Sequence, residues 1–242
     1  MKIPRKCNGL PILNNEQLED LAEKYALDFC PDIAEHPRPL DVELFIEQYL
    51  GFNYELHYLS SCEAYLGMTV FEDMKIPTFN AETFKAQFSN IPANTIIIDS
   101  QLVRRAEFDG HFGRCRFTQA HECGHAILHP EFYKSQSGNI RKAQESLKAY
   151  STGESHMAQE ILSDADRAEQ QANSFASYFL MPRCAVDSII KSRASKSWED
   201  FDYIELIKET FNVSWDAAFY RLKGMGILET SLEKFDWDAF QC

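Results

Sequence analysis

The chain has 242 residues, a net charge of −13 and 45% hydrophobic residues, 18 Phe and 10 Tyr among them. That suffices for one sizeable core, and the acidic balance disfavours grip on a phosphate backbone while leaving a basic protein partner open. No apolar run has membrane-spanning length, the basic start Met1-Lys2-Ile3-Pro4-Arg5-Lys6 leads into no apolar signal region, and seven scattered cysteines without C-x-x-C spacing point to a reducing cytoplasm.

Residues 15–29 place Leu18, Leu21, Ala22, Tyr25 and Phe29 at helical spacing and predict an amphipathic helix. Pro31, Pro37 and Pro39 make 31–39 a stiff connector. Asp41 reads as the N-cap of a second helix with the stripe Val42, Phe45, Ile46, Tyr49 and Leu50, stapled by Leu40 and Phe45 and closed by Gly51. Residues 52–59 and 67–71 read as strands, and Asn94-Thr95-Ile96-Ile97-Ile98-Asp99 is the clearest strand. It is either a buried central strand or an edge on which an extended substrate pairs. Residues 100–115 read as polar and irregular, with Arg104, Arg105, His111, Arg114 and Arg116 a solvated approach to the next helix.

Arg116 to Pro130 contains His121-Glu122-Cys123-Gly124-His125, an H-E-x-x-H motif. On a helix, residues four apart share a face, so His121 and His125 present two imidazoles to one cation. Glu122 is rotated by about 100° from His121 and reaches the same centre without being a ligand. Thr118 reads as the N-cap of this helix and Pro130 as its stop. Cys123, two residues from each histidine, falls on the wrong side and reads as packing. His129 lies about 12 Å along the helix from His121, too far to share a tetrahedral ion, and reads as structural or as a partner of a ligand.

The polar stretch 131–157 reads as a surface excursion or substrate-gating lid with one helix near 139–150. From about Met157 to Met181 the pattern is helical, stopped by Pro182. Within it Glu169 shares a stripe with Ala172, Asn173, Ala176 and Leu180, and a lone carboxylate on a small-residue face calls for a partner or a metal. Asp164 and Asp166 stand nearby as alternatives. Residues 183–192 and 199–211 read as short helices, and Ser214 caps a last one with Trp215, Ala218, Phe219 and Leu222. That final pair looks superficially like a DNA-reading helix-turn-helix, but its apolar residues favour core packing.

Arg116-Phe117-Thr118-x-Ala120-His121-Glu122-x-Gly124-His125 together with Glu169-x-x-Ala172-Asn173-x-Phe175-Ala176 and Leu180-Met181-Pro182 resembles the ImmA/IrrE family of zinc metallopeptidases. The tail Phe211-x-Val213-Ser214-x-x-Ala217-x-x-x-Arg221-Leu222 is similar to that family too, and the likeness covers roughly residues 40–225. It implies an α+β fold: a zincin-like core with a small sheet packed on the metal-binding helices, then C-terminal helices. The expected division is an N-terminal helical extension over 1–36, the core over 37–183 and a C-terminal helical region over 184–242 forming one compact unit with the core. The resemblance further implies zinc, or another divalent metal, on His121, His125 and Glu169, with Glu122 as catalytic base. Its members act on a helix-turn-helix repressor, so the expected partner is such a protein, from a mobile-element or stress-response locus, without direct nucleic-acid or membrane binding. The gap from His125 to Glu169 is longer than the family's usual one, and residues 1–36 have no family counterpart. A metal-binding anti-repressor that sequesters its partner without efficient cleavage is the alternative. His156, Tyr178, Tyr220 and Arg221 are the candidates for stabilising an oxyanion.

Overall fold

The computed structural model describes residues 3–60, 64–83, 85–135, 163–193 and 198–228, and the backbone of 143–147. Helix α1 (Asn15–Phe29) is closed at its start by a capping box between Asn14 and Gln17 and buries Leu18, Leu21, Ala22 and Ala26. Asp41 caps α2 (Val42–Leu44) as its position predicts, its side chain accepting from the Leu44 N–H. The helix continues as a π-helical turn over Phe45–Tyr49, and Gly51 leaves it at φ +69°.

Among the described residues the chain also forms six strands: β1 (Asn53–His57), β2 (Tyr65–Val70), β3 (Met74–Asn80), β4 (Lys85–Ile91), β5 (Thr95–Asp99) and β6 (Ala143–Leu147). Four of them form a mixed sheet in the order β1-β5-β2-β6. The isoleucine-rich β5 runs parallel to β1 and antiparallel to β2, and all five of its residues are buried. With both sides paired it is a central strand, and the substrate-edge reading of it is overturned. Among the described residues β3 and β4 pair only with each other, as a hairpin the sequence does not announce. β6 pairs with β2 where a helix near 139–150 was expected; the remainder of that expectation lies outside the described residues.

Residues 100–109, expected to be irregular, form α3 (Ser100–Asp109). Asp99 caps it through the Gln101 N–H, and its short apolar face is Leu102 and Ala106. The motif helix α4 (Gly113–Leu128) starts well before Thr118, whose hydroxyl instead donates to the Arg114 carbonyl inside the helix. It ends at Leu128 as Pro130 requires, and that proline opens α5 (Pro130–Ser135). Ser163 caps α6 (Asp164–Leu180), and residues 157–162 of the expected helix lie outside the described ones. Then come α7 (Arg183–Arg193), α8 (Asp200–Phe211) and α9 (Trp215–Gly224).

The arrangement is α+β, with α4 sandwiched between the mixed sheet and α6. Gly124 sets the closeness of the helix pair: a Cβ there would lie 3.0 Å from the Ala172 Cα. One apolar core runs from Leu18 and Phe45 through Ile96, Ile98, Ala120 and Phe175 to Phe211 and Leu222. At its centre Phe45 meets Phe179 at 4.5 Å and Phe175 stacks on Phe179 at 5.8 Å, pairs worth about 0.5–1.5 kcal/mol each beyond their burial.

Candidate metal centre

Helix α4 presents His121 and His125 one turn apart on the face toward α6, and α6 presents Glu169 back at them. The two Nε2 atoms stand 3.0 Å apart. Glu169 Oε2 lies 3.4 Å from His121 Nε2, and Oε1 lies 3.6 Å from His125 Nε2. Among the described residues these three side chains form one group whose donor atoms all fall within 4.8 Å of one another. His121 and His125 are 5% and 0% exposed.

Each ring is held by its other nitrogen. His121 Nδ1 is 2.8 Å from Asn173 Oδ1, and an amide oxygen only accepts, so Nδ1 carries a proton and Nε2 is the atom turned toward Glu169 and His125. His125 Nδ1 is 3.0 Å from His129 Nδ1. Glu169 Oε1 is buried and has no hydrogen-bond partner among the described residues, a costly state for a carboxylate oxygen that a cation relieves. Two imidazole nitrogens and one carboxylate make a donor set that suits zinc with one position left open. The residues present therefore fit a divalent ion.

The electrostatics agree. Burial pushes His125 down to about 4, with Glu169 only partly offsetting it, so the ring is neutral as a ligand must be. Burial also pushes His121 down, but hydrogen bonding to Glu169 and the charges of Glu122 and Glu169 outweigh it and hold the ring above its usual value. Burial would raise Glu169, yet the two histidines bring it down to about 2. A cation among these groups would answer the carboxylate charges that otherwise favour a proton on His121.

Glu122 is fully buried between α4 and the sheet. Its Oε2 accepts from the Thr69 hydroxyl at 2.7 Å, and the same hydroxyl is 3.1 Å from the Glu122 carbonyl. Gly67 on β2 makes room for it, since a Cβ there would lie 2.8 Å from Glu122 Oε1. Thr69 and Gly67 are functional neighbours that sequence reasoning missed, because nothing local marks a strand threonine as a carboxylate's partner. Tyr133 was missed as well, inside the stretch read as a polar excursion. It is 5% exposed, its ring meets His125 edge-on at 5.7 Å, and its hydroxyl has no hydrogen-bond partner among the described residues. Burial first, then the charges of Glu169 and Glu122, pushes its phenol up and keeps the proton on.

The other sequence candidates are committed elsewhere. Asp164 takes Lys6 and Asn8, and Asp166 takes the Ser163 cap. Cys123 is fully buried, and burial pushes its thiol well up, away from the thiolate a metal needs. Arg221, offered for an oxyanion, donates to the Met181 carbonyl and pairs with Glu19 at 2.7 Å, its guanidinium 4.8 Å from the Tyr178 ring centre. Tyr178, Tyr220 and Arg221 line a cleft of about 340 Å³ that reaches Asn173 and Ser174. His156 lies outside the described residues.

An α+β domain in which an H-E-x-x-H helix, backed by a small mixed sheet, packs face to face with a carboxylate-bearing helix is a zincin-like peptidase fold. Residues 111–223 match the family model Peptidase_M78, the IrrE N-terminal-like domain, so this segment of the chain is similar to the ImmA/IrrE family of peptidases. No curated protein matches the chain. Among the described residues no helix is long and apolar enough to cross a membrane.

Proposed function

We propose that this protein is a cytoplasmic zinc-dependent endopeptidase in which His121, His125 and Glu169 hold the metal and Glu122 is the general base. The observation that carries it is the meeting of the His121 and His125 Nε2 atoms with Glu169, whose buried Oε1 has no hydrogen-bond partner among the described residues, on a helix that also carries the buried Glu122. A divalent ion in such a set acts as a Lewis acid on water and on a peptide carbonyl. The chain's own part is to orient and to move a proton. Glu122 accepts the proton of the attacking water at its carboxylate and passes it to the leaving amine, a role worth about 10²–10⁴-fold. Thr69 steadies that carboxylate from the sheet side. Two clefts, of about 470 and 340 Å³, share Ser174 and Asn173, the partner of His121 Nδ1, at the surface of α6.

The substrate we infer is a regulatory protein of the helix-turn-helix repressor type, whose cleavage derepresses a mobile-element or stress-response locus. The support for this is the family alone. The acidic chain itself is poorly suited to nucleic acid.

Elemental analysis of wild type, Glu122→Gln and Glu169→Ala, paired with cleavage of the repressor encoded nearest the gene, tests the proposal. One zinc per chain in wild type and Glu122→Gln, none in Glu169→Ala, and cleavage only by wild type is the expected result. Metal retained in Glu169→Ala removes that residue from the ligand set. Metal bound as expected without cleavage, together with repressor release in fixed stoichiometry, establishes sequestration in place of proteolysis.

A further inference from the structure

We propose that His129, Gln171 and the backbone carbonyl of Pro11 form a positioning chain that fixes the tautomer and ring plane of His125, making the N-terminal hook, the turn of chain over residues 5–11 closed by the Arg5–Pro11 bridge, part of the metal centre. The inference rests on the zinc reading above and adds to it three residues, one of them outside the segment that matches the family.

The chain has a direction set by groups that can only accept. Pro11 offers a carbonyl, so Gln171 turns its amide nitrogen to it, at 3.1 Å. That leaves Gln171 Oε1 facing His129 Nε2 at 3.0 Å, and the amide oxygen requires the proton on that nitrogen. Two facing Nδ1 atoms need one donor and one acceptor, and His129, already donating from Nε2 to Gln171, takes the acceptor's part. His125 Nδ1, 3.0 Å away, must then be the donor. What remains on His125 is a bare Nε2 aimed at His121 and Glu169, the form a metal requires. Reversing the Gln171 amide would set its oxygen against the Pro11 carbonyl and, through His129, would place the wrong proton on His125.

The hook is built to hold its end of this chain still. Arg5 donates from Nη1 both to the Gly9 carbonyl and to the carbonyl of Leu128, the last residue of α4, each at 2.8 Å. Lys6 and Asn8 bind Asp164 at the start of α6, and Ser135 of α5 donates to the Asn8 carbonyl. At Gly9 the hook passes α5 so closely that a Cβ would lie 2.7 Å from the Glu131 carbonyl carbon, and φ there is +85°. Leu10 is buried with Phe71, Phe132, Tyr133 and Ala168. The segment therefore clasps the ends of the two helices that carry the three metal-centre side chains.

The test measures zinc affinity by competition with a chromophoric chelator, and the absorption spectrum of the cobalt-substituted protein, on full-length variants. Gln171 is only half-buried, so Gln171→Leu keeps the fold while removing the acceptor for His129. His129→Phe keeps a ring in place without an acceptor for His125, whereas His129→Gln returns a carbonyl oxygen there. Loss of about 10–100-fold in zinc affinity in Gln171→Leu and His129→Phe, an altered cobalt spectrum, and substantial recovery in His129→Gln are expected. Packing alone would favour Phe over Gln at 129, the opposite order. Wild-type affinity in folded Gln171→Leu, or Phe outperforming Gln at 129, overturns the positioning chain. A wild-type protein that binds no metal overturns the zinc reading itself, an outcome distinguishable from the other two.

Discussion

Glu122 is held from two sides, and both contacts come from β2. Thr69 gives it a hydroxyl at 2.7 Å, and Gly67 gives it space. Thr69→Val removes the donor with little change of shape and lets the carboxylate turn. A displaced base loses on the order of tenfold to a hundredfold in kcat, and zinc content, set by other residues, stays at the wild-type level. Gly67→Ala acts more bluntly, because its Cβ would meet Glu122 Oε1 at 2.8 Å and Thr118 Cγ2 at 2.9 Å. We expect it to cost about a hundredfold in kcat and to lower Tm as well. Steady-state cleavage beside metal analysis checks both, and wild-type kcat in Gly67→Ala would mean that Glu122 works from a different position. At this scale the sequence was informative about chemistry and silent about support. Spacing alone put His121 and His125 on one face, the small-residue stripe made Glu169 a candidate beside Asp164 and Asp166, and the family resemblance chose it. Thr69, Gln171 and the Pro11 carbonyl come from distant stretches, and no local pattern joins a strand threonine or a helix glutamine to a metal centre.

The helix pair α4 and α6 is the element on which the centre depends, since each carries part of the donor set. Gly124→Ala would place a Cβ 3.0 Å from the Ala172 Cα and 3.2 Å from its carbonyl oxygen, both backbone atoms that cannot step aside. Alanine favours the helix by about 1 kcal/mol over glycine, but overpacking costs about 1–3 kcal/mol. The net expectation is a modest loss of stability in denaturant unfolding. Zinc affinity should fall more clearly, because widening the pair moves Glu169 away from both imidazoles. An unchanged affinity would show that the helices relax together. The helices α1, α6, α8 and α9 were legible because burial and periodicity coincide in their one-sided apolar pattern, and β5 because its short β-branched run is buried throughout. α3 was not, because its buried face is only Leu102 and Ala106, while Phe108 is 91% exposed and blurs the stripe. β4 was missed for a similar reason: of its residues only Ile91 is buried, so the hairpin with β3 has almost no alternation to read. The early start of α4 turns on Gly113, where the chain passes within reach of α9's cap: a Cβ would meet the Ser214 nitrogen at 2.5 Å. Only the fold brings those two together.

Across the whole molecule, the N-terminal helix is tied to the C-terminal helices by Glu19, set between two guanidiniums, and by Glu23, which accepts from the Cys184 N–H. Glu19 of α1 accepts from Arg183 at 2.9 and 2.7 Å and pairs with Arg221 of α9 at 2.7 Å, where the Arg221 side chain is 2% exposed. Burial pushes the Glu19 carboxyl up, but Arg183 and Arg221 outweigh it and hold the group below its usual value. A carboxyl lowered in the folded state contributes stability that is fully present above its unfolded value of about 4.3 and fades as pH falls through the folded one. Glu19→Gln removes that contribution and leaves a buried arginine without its counter-charge, at a cost of about 3 kcal/mol at neutral pH. Thermal unfolding of wild type and Glu19→Gln from pH 7 to pH 3 should therefore show a large gap in Tm at neutral pH that narrows below about pH 4.5. At the acid end wild type carries a protonated Glu19 that resembles glutamine in charge. Two Tm curves that stay parallel throughout would mean that the ion pairs contribute nothing net, and that apolar packing of α1 on α6, with the Glu23 contact, holds the N-terminal helix in place.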